Sequence, residues 1–127
     1  MLSEIAGRVW KFGDNIDTDL MIKGKYINAK MEEIAQHVFE TVSPAFSKEV
    51  MPRDVIVAGR YYGCGASREV EAASFKYFKV GCIIAESYGR IFFRNSIAIG
   101  LPAISCPALL ILLETRIMQK LILTISW

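Results

Sequence analysis

The chain has 127 residues, enough for one domain with a real core, and 53% of them are hydrophobic, which excludes disorder as the main state. Fifteen basic against thirteen acidic residues leave a net charge of +2 with no basic run or stripe, so the charge pattern does not point to nucleic acid. Residues 1–5 carry an acid and no apolar signal core, and the one greasy stretch, 108–127, is interrupted by Glu114, Arg116 and Lys120. The expectation is a cytoplasmic protein without a membrane or nucleic-acid partner.

In chain order, residues 7–12 alternate like a strand and stop at the turn signal Gly13-Asp14-Asn15. A polar loop through Asp17-Thr18-Asp19 follows, and 23–28 reads as an exposed connection. Over 30–39, Met31, Ile34, Ala35 and Val38 recur at the spacing of one helix face. Residues 54–58 form a β-branched run, a buried strand by type, which enters the glycine-rich loop 59–65. The next helix is expected over 67–78 with Val70, Ala73, Ser74 and Tyr77 on one face, and Gly81 is expected near its C-terminal cap. Residues 82–85 read as a second buried strand, 88–97 as another helix and 103–106 as a third strand. Strand, helix, strand, helix, strand implies an α/β fold with parallel pairing and right-handed crossovers.

Cys64, Cys82 and Cys106 are scattered with no C-x-x-C pair, which suits neither a disulfide framework nor an iron–sulfur site. The expectation is no metal in this chain, with Cys82 and Cys106 as core residues. His37, the only histidine, reads as structural or solvated.

The segment with chemical content is Tyr62-Gly63-Cys64-Gly65-Ala66-Ser67-Arg68-Glu69, delivered by a strand and left by a helix. Its glycines permit close backbone approach, the helix start offers N–H groups, and Arg68 supplies a forked, permanent cation. These parts suit a carboxylate or phosphate. The dinucleotide fingerprint fails because Arg68 stands at its third glycine, and no P-loop lysine is present. A tight turn capped by Ser67, with Arg68 in a surface ion pair, is the plain alternative.

The segments 13–19, 59–69, 84–95 and 100–102 occur in an order that resembles the small subunit of 3-isopropylmalate dehydratase and its homoaconitase relatives, equivalent to the swivel domain of aconitase. The resemblance spans about residues 7–107 and leaves 108–127 as an atypical apolar tail. It implies a swivelling β/β/α domain with a mixed, largely parallel sheet or barrel. It also implies a large partner subunit carrying a [4Fe–4S] cluster, a small hydroxy-acid substrate, and dehydration–rehydration of 2-isopropylmalate to 3-isopropylmalate in leucine synthesis. By position, Arg68 binds a substrate carboxylate, Ser67 and the loop amides assist, and Gly63, Cys64, Gly65 and Ala66 shape the turn. Asp17, Thr18 and Asp19 match the acidic motif near the site. Arg90, Arg94 and Asn95 hold the loop or line the cleft, and Lys25, Tyr26, Ile27 and Asn28 lie where relatives set substrate choice. They match neither the homoaconitase form, which carries an arginine there, nor another assigned form.

Two departures stand out. The resemblance gives the proton-abstracting role to a serine where this chain has Ala66. That leaves Ser67, another group, or a weakened chemistry. The abrupt change after Pro107 suggests a reading-frame change or truncation. The alternatives are a homoaconitase-type or dimethylmalate-type subunit, or a degenerate partner without turnover.

Overall fold

The computed structural model describes residues 2–106 and 120–126. One five-stranded sheet runs in the order β4-β3-β2-β1-β5. Strands β1 (Leu2–Lys11), β2 (Val55–Ala58), β3 (Cys82–Ala85) and β4 (Ala103–Ser105) pair in parallel, and β5 (Lys120–Ser126) runs antiparallel along the outer side of β1. The fold is therefore mixed α/β with a parallel four-stranded sheet at its centre. The composition shift after Pro107 falls mostly outside the described residues.

β2 and β3 form because Val55–Ala58 and Cys82–Ala85 are apolar on both faces, and all eight residues are buried. Alternation divides them. Ile56, Ala58, Ile83 and Ala85 face the main core, whereas Val55, Val57, Cys82 and Ile84 form a second cluster with Val9, Ile104 and Cys106. Cys82 is thus a core residue, and burial pushes its thiol up to about 12, which leaves it unreactive. Cys106 is half-buried against the same cluster.

The helices fill the parallel crossovers: α1 (Thr18–Met21), α2 (Met31–Ala35) and α3 (Phe46–Glu49) between β1 and β2, α4 (Glu69–Tyr77) before β3, and α5 (Arg90–Ala98) before β4. Aromatic contacts bind these layers. The Phe46 ring lies 5.0 Å from Phe39 and 6.4 Å from Phe75, and Phe75 lies 6.2 Å from Phe92.

Four sequence expectations require correction. The polar stretch Asp17-Thr18-Asp19 is the start of α1, with Asp17 as its N-cap, and the connection after it holds a 3-10 turn at Gly24–Tyr26. The helix expected over 30–39 ends at Ala35, because Phe39 adopts φ +58° and donates its amide to Met21 O at 2.9 Å. The buried face of α4 is Glu71, Ala72, Ser74 and Phe75, while Tyr77 is exposed, because Phe75 fixes the helix phase in the aromatic core. Its C-cap is Phe78 and the left-handed residue after it is Lys79 at φ +61°, not Gly81.

Candidate functional site

Parallel strands place their carboxyl ends on one side of the sheet, where α/β ligand sites usually lie. The segment after β1 and the glycine loop after β2 both emerge there and lie side by side. Asn15 N donates to Arg60 O at 2.8 Å, Gly63 N to Ile16 O at 2.7 Å, and Thr18 N to Cys64 O at 3.0 Å. On the other side of the loop, Tyr62 N donates to Ser87 O at 3.0 Å and Gly89 N to Tyr62 O at 2.9 Å. The glycine loop is therefore the middle strip of three segments. They are separated by some 45 and 25 residues in sequence and joined by backbone hydrogen bonds.

Gly63 is required at its place. It sits at φ +78°, and a Cβ there would stand 2.4 Å from the Phe92 ring. Gly89 is required for the complementary reason, since its Cβ would stand 2.3 Å from Gly63 O.

A cleft of about 300 Å³ opens beside this strip, lined by Asp17, Thr18, Asp19, Ile22, Gly24, Ile27, Gly65, Ala66, Arg68 and Glu71. Arg68 is exposed and, among the described residues, forms no ion pair; the surface pair that the plain alternative called for is absent there. Three acids share the wall, and each accepts a backbone N–H of the wall itself. Asp17 Oδ1 accepts from Leu20 N at 2.9 Å, Asp19 Oδ1 from Gly24 N at 3.2 Å, and Glu71 Oε1 from Arg68 N at 2.7 Å. The carboxylates thus organise the wall, and the guanidinium is the side chain that offers hydrogen-bond donors to an incoming anion.

The N-cap of α4 is Arg68, not Ser67, and the bond from Arg68 N to Glu71 secures the helix start. Two expectations about donors change with it. The amides of Gly63, Cys64, Ser67 and Arg68 are committed to Ile16 O, Tyr61 O, Gly65 O and Glu71, so these four are not available to a ligand. Ser67 is half-buried, and its hydroxyl donates weakly to Arg68 O at 3.4 Å.

Of the residues singled out in the sequence, Asp17, Thr18, Asp19, Ile27, Gly65, Ala66 and Arg68 line the cleft. Gly63, Cys64 and Ser67 support the loop, and Lys25, Tyr26 and Asn28 flank Ile27 without lining it. Arg90, Arg94 and Asn95 lie on α5, outside the lining, with both arginines exposed and Asn95 half-buried. Glu71 was missed because it follows a helix-start acid and reads as a dipole partner. Asp54 was also missed. It is 2% exposed and accepts from Trp10 Nε1 and Met51 N at 2.9 Å each, tying β1 to the entry of β2 away from the cleft.

Burial raises the pKa of Glu71, and its bonds to Arg68, with that residue's charge, only partly oppose this. The folded protein therefore holds this proton more tightly than the unfolded chain. The group's contribution to stability is full below the ordinary glutamate range and is lost as pH rises through the raised folded value. Glu71→Gln keeps an oxygen for Arg68 N and removes the charge. Its melting temperature relative to the wild type is expected to rise between pH 4 and pH 8. An equal difference at both ends of that range contradicts the assignment.

Among the described residues no group of three His, Cys, Asp or Glu side chains is placed to hold a metal ion, and no helix is long and apolar enough to cross a membrane. Cys82 lies inside the sheet and Cys64 in the loop, so the cysteines do not converge as cluster ligands.

Fold and cleft together define an α/β domain that offers one arginine and a rigid glycine turn at the carboxyl ends of parallel strands. Residues 9–108 match the family described as the aconitase C-terminal domain, and the chain belongs to that family. It is 52% identical over 101 residues to the methanogen homoaconitase small subunit of Methanothermobacter thermautotrophicus, covering 79% of this chain and 59% of that protein. It is 50% identical over 104 residues to the 3-isopropylmalate dehydratase small subunit of Methanosarcina acetivorans, covering 81% and 64%. The chain thus spans less than two thirds of the length of these relatives. The crystal structure of 3-isopropylmalate dehydratase from Methanocaldococcus jannaschii superposes with a TM-score of 0.82 at 38% identity, covering 98% of this chain and 71% of that one.

Proposed function

We propose that this chain is the small subunit of a cytoplasmic hydro-lyase that isomerises 2-isopropylmalate to 3-isopropylmalate in leucine synthesis, with residues 1–107 as its swivel domain. It grips a substrate carboxylate in a site completed by a large subunit. The observation that carries this reading is the cleft itself: Arg68 stands on its wall without an ion-pair partner among the described residues, beside a backbone strip that fixes its position. The relatives named above support the substrate class.

Such an isomerisation removes a hydroxyl and a proton from adjacent carbons and returns them exchanged. The Lewis acidity for the hydroxyl would come from a [4Fe–4S] cluster held by the large subunit. This chain's part is to hold and orient. Arg68 binds one carboxylate bidentately and steadies the negative charge that grows on it as the carbon-bound proton leaves. Ala66 carries no proton-accepting atom, so the proton goes to Ser67, the adjacent hydroxyl just outside the cleft lining, or to another group. Arg90, Arg94 and Asn95 on α5, outside the cleft lining, are left the role of holding the loop. The four residues 25–28 match neither the homoaconitase form, which carries an arginine there, nor another assigned form, so the choice between these acids falls to the assay.

The test is co-expression with a cluster-bearing large subunit of a relative and an anaerobic assay of isopropylmaleate by its absorbance. Activity that needs both chains and prefers isopropylmalate over homocitrate supports the reading. The Ala66→Ser variant is expected to raise kcat by about 100-fold, the usual range for a positioned base. No turnover by either form, in a complex shown to assemble, leaves the chain a non-catalytic partner.

A further inference from the structure

The one histidine of the chain is joined to the cleft by a route that the sequence did not reveal. His37 lies just after α2, on a segment anchored in the core by Ile34 and Val38. Its ring stacks face to face on Tyr26, with centroids 3.9 Å apart and planes within 4°. Its Nδ1 lies 2.9 Å from Glu40 Oε2, and the other oxygen of Glu40 pairs with Lys23 Nζ at 3.2 Å. Lys23 and Tyr26 bracket the 3-10 turn whose Gly24, with Ile27 beyond it, forms one wall of the cleft. At the wall's other end Gly24 N is held by Asp19. Aromatic stacking on Tyr26 and the ion pair to Lys23 thus add to the holds that residues 23–28 already have, which are turn hydrogen bonds, the Asp19–Gly24 bond and the packing of Tyr26 and Ile27 against the core.

We propose that His37 and Glu40 are positioning residues that brace the wall 23–28 and thereby set which hydroxy acid the cleft accepts. The selectivity half of this proposal rests on the function proposed above; the brace itself does not. A side chain that fixes a wall acts on the fit of the substrate's variable group, so its loss appears in the ratio of KM values between substrates. The chemistry at Arg68, which belongs to a different segment of the lining, is left to kcat.

The test uses the full chain, alone and with its large subunit, as wild type, His37→Ala, His37→Phe and Glu40→Gln. Hydrogen exchange at the amides of Tyr26, Ile27 and Ala29, which close the turns of this wall, is expected to be about fivefold faster in His37→Ala, the loss of one aromatic contact. It is expected to stay near wild type in His37→Phe, which keeps the stack, and to rise in Glu40→Gln, which loses the ion pair. In the assembled enzyme, the isopropylmalate-to-homocitrate ratio of KM values is expected to shift about fivefold in His37→Ala, by the same contact. Exchange unchanged in both His37→Ala and Glu40→Gln overturns the brace, whatever the activity. Faster exchange with an unshifted KM ratio overturns the selectivity role. Faster exchange in a complex that turns over no hydroxy acid upholds the brace and overturns the function it was assigned to serve.

Discussion

Arg68→Lys is expected to lower kcat/KM of the two-chain enzyme by about 100-fold or more, the loss that follows removal of a well-placed charged donor. Lysine preserves the charge and most of the length but offers a point charge in place of a planar fork, so a bidentate carboxylate loses one of its two bonds and its orientation. The backbone consequence is small, because the bond that caps α4 runs from Arg68 N, not from its side chain, to Glu71. The variant is therefore expected to fold, to bind the large subunit and to melt within a degree or two of the wild type. Steady-state kinetics beside a melting curve separate the two effects. An intact kcat/KM shows that the guanidinium does not touch the acid.

The second large effect is on stability. Gly63→Ala places a methyl group 2.4 Å from the buried Phe92 ring at a residue with φ +78°, where an L side chain is already strained. Positive φ costs about 1–2 kcal/mol and overpacking a further 1–3 kcal/mol, so a total near 3 kcal/mol is expected. Against the 5–15 kcal/mol that holds a typical domain, this is a large share. The strip also loses its hinge: to relieve the clash, Gly63 must move from Ile16 O and the Tyr62–Gly89 bond must loosen with it. Urea denaturation of the full chain measures the loss. Gly65→Ala is the control, since its Cβ would meet nothing nearer than Thr18 Oγ1 at 3.6 Å although its φ of +91° is also strained. Equal losses in both would show that conformation, and not the Phe92 contact, fixes Gly63.

What was legible in the sequence follows from range. Val55–Ala58 and Cys82–Ala85 announce themselves because a strand buried on both faces needs an unbroken apolar run, and the glycine turn between the first strand and α4 is equally local. The family resemblance placed the acidic motif near that turn, but nothing local shows how the two meet. Their joining bonds cross more than 40 residues. The same reason hid Asp54, whose partners Arg8 and Trp10 lie at separations of 46 and 44. Helix α2 was read too long because Met31, Ile34, Ala35 and Val38 keep helical spacing through a stretch that the Phe39 amide, bonded to Met21 O, turns out of the helix. On α4, Ser74 is buried and Val70 packs against the core as the spacing predicts, whereas Tyr77 is exposed although it is apolar enough to suggest burial. The aromatic cluster instead selects Phe75. His37 reads as structural or solvated from the sequence, and the choice between the two is not legible there because a stacking partner eleven residues away on a turn leaves no periodic trace.

The proposed function requires Arg68 to meet an organic acid in a site that another polypeptide completes. The most direct measurement is a crystal structure of this chain with its large subunit and bound isopropylmalate. The expected result is the guanidinium of Arg68 within hydrogen-bond distance of a substrate carboxylate, with the wall 17–27 facing the large subunit. A turn that faces bulk water, with the acid held wholly by the other chain, contradicts it.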